Sequence, residues 1–147
     1  MKFTQLKKFN ITDRTAKVLL PEVGDGNYLE VRPSSSVNKP YFNALLAVGG
    51  KATRRKGGED VITVDDIRKD RRIQAKLFAK HVVVGGLIVD GDGVEMEMTE
   101  ENILELLIAL IKEAPLLFDR VREVADDETE FYDDDEVAPD AEELAGK

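Results

Sequence analysis

AKLFAKHVVVGGLIVDGDGVEMEMTEENILELLIALIKEAPLLFDRVREVADDETEF, residues Ala75 to Phe131, is the stretch whose reading decides the fold. It parses as the end of a helix, a short hairpin centred on Asp90-Gly91-Asp92-Gly93, a Thr-capped helix, and a Pro-initiated helix that runs into acid. Alternation of Val94, Met96 and Met98 against Glu95 and Glu97 predicts a strand with one buried face opposite Leu87-Ile88-Val89. Thr99 is placed to cap a helix from Glu100 to Lys112. In that helix Ile103, Leu106, Leu107, Leu110 and Ile111 form an apolar stripe at i, i+3, i+4, i+7 and i+8. Pro115 then restarts the chain as the first residue of a helix that turns Leu116, Leu117, Val121 and Val124 inward.

Working outward toward the N-terminus, Ala16 to Pro21 and Asn27 to Pro33 are short apolar runs around Gly24-Asp25-Gly26, which predicts another hairpin. Tyr28 and Glu30 alternate with Leu29 and Val31, so one of its faces is wet. Asn38 to Val48 carries Pro40 near its start and Tyr41, Leu45 and Val48 at helical spacing, with Gly49-Gly50 expected to end it. A basic loop, Gly50 to Asp60, follows. Thr63 and the acids Asp65 and Asp66 then open the longest helix, Val64 to His81.

The expected class is α+β: a small single domain with two short β-hairpins and about four helices, spanning residues 1–125, plus a disordered acidic C-terminal tail, 126–147. The chain has 147 residues and 42% hydrophobic content, which suits one modest core. The net charge of −9 is unevenly distributed. Residues 123–147 hold 12 acids and one lysine, while residues 1–122 hold 18 acids against 20 Lys or Arg. The body is nearly balanced and the end of the chain supplies the excess. Clusters such as Asp126-Asp127-Glu128 and Asp133-Asp134-Asp135-Glu136 repel themselves and bury little.

Catalytic and metal readings find little support in these residues. The absence of cysteine excludes disulfides and thiolate chemistry and fits a reducing compartment. Asp90, Asp92 and Gly93 have the look of a calcium loop, but Val94 stands where the EF-hand pattern needs an oxygen ligand, and a tight turn is the simpler reading. His81 is the single histidine, so neither a His-rich metal site nor a catalytic relay has its parts. Gly49-Gly50-Lys51-Ala52-Thr53 lacks the spacing of a phosphate loop. Arg54-Arg55-Lys56 and Arg68-Lys69-Asp70-Arg71-Arg72 have no interleaved aromatics, which points away from nucleic acid. These arginines are also placed to meet the acidic tail of a neighbouring copy, giving a homo-oligomer sensitive to salt. No apolar run approaches the roughly 20 residues of a spanning helix, and the N-terminus has no continuous apolar segment, so no membrane is expected. The expectation is a non-enzymatic protein with no catalytic, cofactor or metal residues.

In its order of motifs, Ala75 to Phe131 resembles the tail assembly chaperones of long-tailed (siphovirus-like) bacteriophages, with their succession of helix, VVG-like turn, D-x-D-G hairpin, T-x-E-N helix and P-x-L-F helix. Here these read Val82-Val83-Val84-Gly85, Asp90 to Gly93, Thr99 to Asn102 and Pro115 to Phe118, with Gly86-Leu87 where such chaperones often carry Trp. The N-terminal hairpin and Ser34 to Phe42 resemble the family's other half more loosely. The resemblance implies a host-cytoplasmic assembly factor, not kept in the mature virion. Such a factor binds and solubilises the tape measure protein and helps recruit the tail tube protein, through a longer form made by programmed frameshift. Ala145-Gly146-Lys147 permits the codons GCG GGA AAG, which contain a slippery heptamer. An apolar client helix would be shielded by exposed parts of Tyr41, Leu45, Phe78, Met96, Met98 or Leu117. Phe131 and Tyr132, an aromatic pair inside the acid, are the tail element suited to docking. A permanent minor tail or adaptor component of the virion and an acidic DNA mimic are the rival classes.

Overall fold

The computed structural model describes Ile11 and residues 13–53 and 64–132, with side chains placed outside 49–53 and 64–68. Strands β1 (Ala16–Leu19) and β2 (Tyr28–Val31) form the predicted antiparallel hairpin, pairing Val18 with Leu29. Val18, Leu29 and Val31 are buried, while Lys17, Leu19, Tyr28 and Glu30 share the wetter face, as the alternation requires. Gly26 sits in the turn at φ 78°, where an L side chain would be strained.

Helix α1 (Lys39–Thr53) starts where expected but continues through Gly49-Gly50. Two glycines lower helix propensity by about 1 kcal/mol each without removing a backbone N–H, so they weaken a helix and do not force its end. Helix α2 (Val64–His81) has the predicted bounds, and its last turn carries Lys80 and His81, favourable at a helix C-terminus.

A further correction concerns the next strand. Strand β3 is Val83–Leu87 and pairs antiparallel with β2, matching Leu29 with Gly86 and Tyr28 with Leu87 across an irregularity between Glu30 and Val31. The sheet order is therefore β1-β2-β3. Gly85-Gly86 lies within this strand and makes its pairing possible. Gly86 has φ 141°, and a Cβ there would stand 2.4 Å from the Tyr28 carbonyl oxygen. Only a residue without a side chain fits that approach.

The second hairpin, around Asp90 to Gly93, is narrow, with a single bridge between Val89 and Glu95. Its hydrogen bonds run from Asp90 N to Val94 O and from Met96 N to Ile88 O. The expected buried face is only partly so: Met96 and Met98 are half-buried, and Val94 is 61% exposed.

Helix α3 (Glu100–Glu113) is capped by Thr99, whose Oγ1 accepts from Asn102 N at 3.1 Å. It buries Ile103, Leu107 and Leu110, and half-buries Leu104, Leu106, Ile108 and Ile111. Helix α4 (Pro115–Asp126) opens on its proline and buries Leu117, Phe118, Val121 and Ala125. A short 3-10 helix, Glu128–Phe131, follows and buries Phe131. Packed structure thus continues past the expected domain end at residue 125, because Phe131 supplies apolar area that its acidic neighbours do not. Residues 133–147 of the expected tail lie outside the described residues.

Candidate partner-binding surface

The groove expected from sequence divides on folding. Tyr41 of α1, Phe78 of α2 and Phe118 of α4 make one aromatic column in the core. Tyr41 meets Phe78 edge-on at 5.7 Å between centroids, and Phe78 lies 6.3 Å from Phe118. Burial pushes the Tyr41 hydroxyl above its ordinary pKa, and the nearby Asp126 charge adds to that. Tyr41, Phe78, Leu117 and Phe131 are all buried in the free chain, so their apolar area is spent on the fold. Leu45, Met96, Met98 and Tyr132 keep accessible surface.

Phe131 is held by more than apolar contact. Arg14 Nη1 donates to its carbonyl oxygen at 3.1 Å, and Asp127 Oδ1 accepts from Thr129 N at 3.0 Å to cap the 3-10 turn. Tyr132 is half-buried and bonded rather than free.

Accessible apolar surface appears at positions the sequence reading did not select. On α1, Leu46 is 57% exposed beside Leu45, and on α4 Leu116, expected to turn inward, is instead 79% exposed. Leu19, Val84 and Val94 are exposed as well. One signal was available for the helices. Adjacent residues of a helix lie about 100° apart, so in Leu45-Leu46 and Leu116-Leu117 the two leucines cannot both point inward. The α1 pair stands out because Tyr41, one turn before Leu45, already supplies that helix's buried anchor.

The charges around these surfaces are mostly engaged. Asp119 accepts from Arg71 at 2.9 Å and from Arg122 at 3.4 Å. Arg120 forks onto Glu22, with Nη1 to Oε1 at 2.8 Å and Nη2 to Oε2 at 2.6 Å. Those two bonds hold the Glu22 carboxyl down at about 2. Arg71 is thereby removed from the basic run, while Arg54, Arg55 and Lys56 lie outside the described residues. His81 is half-buried, and burial followed by the Lys80 charge lowers its pKa.

The Asp90 turn uses its own acid. Asp90 Oδ1 accepts from Asp92 N at 2.8 Å and Val94 N at 2.9 Å, which is the bonding of a turn residue. Among the described residues no group of three or more His, Cys, Asp or Glu is arranged to hold a metal ion. No helix among them is long and apolar enough to cross a membrane.

Two buried asparagines, also unselected from sequence, organise this architecture. Asn38 Nδ2 donates to Pro33 O at 3.0 Å and His81 O at 2.9 Å, tying the exit of β2 to the end of α2 at the start of α1. Asn27 clamps the Val89 peptide: its Nδ2 donates to Val89 O at 3.0 Å and its Oδ1 accepts from Val89 N at 3.1 Å. The two hairpins are joined by that clamp.

Comparison with curated proteins and with solved structures gave no match for this chain. A protein-family model, described as YdaY prophage protein, matches residues 36–143. That span takes in α1 through α4, the narrow hairpin, the 3-10 turn and most of the acidic segment. It covers well over half of the sequence, and the chain belongs to the YdaY prophage protein family, a family of phage-derived proteins.

Proposed function

We propose that this prophage protein is a non-enzymatic tail assembly chaperone that binds the tape measure protein and keeps it soluble while the tail forms. The observation that carries the reading is the ordered resemblance from Ala75 to Phe131, which falls wholly inside the span matched by a prophage family. Exposed Leu45 and Leu46 on α1 and the half-buried pair Met96 and Met98 support it, since accessible leucine and adaptable methionine suit the apolar face of a client helix. In this reading the protein acts in the host cytoplasm, recruits tail tube subunits through a C-terminally extended form, and leaves before the particle matures.

The test is co-expression with a tape measure fragment that is insoluble alone. The fragment is expected in the soluble fraction, bound with a negative heat capacity change from burial of client apolar surface. L45E/L46E should abolish the rescue while leaving the fold intact, because both side chains are exposed. If the fragment stays insoluble and the chain is instead found in purified particles, the protein is a minor structural component of the tail. Salt-sensitive capture of a basic DNA-binding protein would place it with the DNA mimics.

A further inference from the structure

Helices α2 and α3 pack side by side and leave a depression of about 420 Å³ lined by Arg72, Ile108, Ile111 and Lys112. Its volume lies within the roughly 300–1,000 Å³ of clefts that accept ligands. The two isoleucines are half-buried and the two cations exposed. Neither Arg72 nor Lys112 makes an ion pair among the described residues, in contrast to Arg71, Arg120 and Arg122 on the neighbouring surface. Lys76, one turn along α2 from Arg72, is a further exposed cation. Of the four acids of α3, Glu100, Glu101 and Glu105 lie toward its N-terminal end, while Glu113 adjoins Lys112 in sequence but is not among the residues that line the depression. The depression is therefore an apolar seat with positive charge at one end.

That chemistry calls for a ligand combining carboxylates with a few aliphatic groups, and the chain itself contains one. Residues 133–147 carry seven acids against one lysine, with Val137, Pro139 and Leu144 set among them. We propose that this acidic segment binds the Arg72–Lys112 depression of its own chain. Reach is sufficient: fifteen residues span up to about 50 Å when extended, against a diameter of roughly 35–40 Å for a domain of this size. Tethering also gives the segment an effective concentration on the order of millimolar, so a weak contact is populated without a second molecule. The occupant covers Ile108 and Ile111 and neutralises two cations that have no ion-pair partner among the described residues. A competing acidic and apolar chain must displace it. This inference is independent of the chaperone reading and is tested on the protein alone.

The sequence has no cysteine, so Ala141→Cys gives a single spin-label site in the full-length chain. At about 0.05 M salt the methyl signals of Ile108 and Ile111 should lose more than about half their intensity, selectively over the other methyls, and recover near 1 M, where the Debye length falls to about 3 Å. R72E/K112E should abolish the broadening, and R72Q/K112Q serves the same purpose should the charge reversal disturb folding. No selective broadening, or broadening that survives these substitutions, overturns the proposal. Broadening in a mixture of spin-labelled and isotope-labelled chains also overturns it, by giving the occupancy to a neighbouring copy.

Discussion

Replacing Asn27 tests the clamp between the two hairpins. Asn27 is essentially fully buried and grips both polar groups of the Val89 peptide, 62 residues away. Its own backbone closes the first hairpin, through Leu20 N to Asn27 O at 2.9 Å and Asn27 N to Gly24 O at 3.0 Å. Asn27→Ala keeps the backbone bonds and deletes the two side-chain bonds. Each deleted bond contributes about 1 kcal/mol net, and Val89, itself only half-buried, is left with groups that water satisfies in part. The expected loss is about 2–3 kcal/mol, a large part of the roughly 5–15 kcal/mol typical of a domain. In urea this moves the midpoint down by about 1–2 M with the slope unchanged. Val89 amide exchange should accelerate more than that of buried helical amides.

Asn27→Asp sharpens the test. The ionised carboxylate would face Val89 O without a proton to donate, in a buried site, so its folded pKa is raised above the unfolded value. Once protonated, the substituted side chain can still both donate and accept, as the amide does. Relative to wild type, stability of the variant should be greatest below the ordinary aspartate range and should fall as pH rises through the elevated folded value. Gly24→Ala is a second probe, because its Cβ would stand 2.7 Å from Asn27 Nδ2. A loss below about 0.5 kcal/mol for Asn27→Ala, with no selective change at the Val89 amide, would refute the clamp.

Three further perturbations address the core, its C-terminal edge and an exposed ion pair. Leu107 is fully buried on α3, so Leu107→Ala should cost about 2–5 kcal/mol and lower the melting temperature by about 10 °C, read by thermal and urea denaturation. Phe131→Ala should cost about 3 kcal/mol by the same measurements, since the ring is buried; a surface-like loss would return residues 127–132 to the acidic tail. The Glu22 carboxyl should titrate near 2 by NMR, held down by the Arg120 fork and a backbone hydrogen bond, and rise toward the ordinary glutamate range in Arg120→Gln. The pair's contribution is present above that ordinary range and is lost as pH falls through about 2.

Elements with local signals are legible in the sequence. Thr99 and Pro115 mark helix starts by chemistry confined to one turn, and both stand where predicted. Hairpin β1-β2 is readable because alternation and turn residues are also local. The partner of β3 is not, since Val83–Leu87 pairs with residues more than fifty positions earlier, and nothing within the segment encodes that register. A pair of glycines reads as a break until the Tyr28 carbonyl is known to approach Gly86. Asn27 and Asn38 look like ordinary turn residues in sequence, and their importance lies entirely in what they reach. For the candidate surface, residue type is legible and burial is not: Tyr41, Phe78 and Leu117 are as apolar as Leu46 and Leu116, and only packing separates the two sets.

The folding unit is larger than the span that the family model matches in this chain. The match begins at residue 36, after β1 and β2, yet β3 inside the match has β2 as its partner. Val18, Leu20, Leu29 and Val31, all outside the match, are buried in the same cluster as Phe118, Leu107 and Phe131 within it. Ser34 N donates to Ala125 O at 2.9 Å, and Arg32 N donates to Val82 O at 2.8 Å, so the segment leaving β2 is bonded to both α4 and the end of α2. Without residues 11–35 the helices would keep their amphipathic patterns, but the apolar face they present to the sheet would meet water and the β2-facing edge of β3 would lie open. The N-terminal hairpin is therefore part of what lets the matched span fold, whatever that span binds.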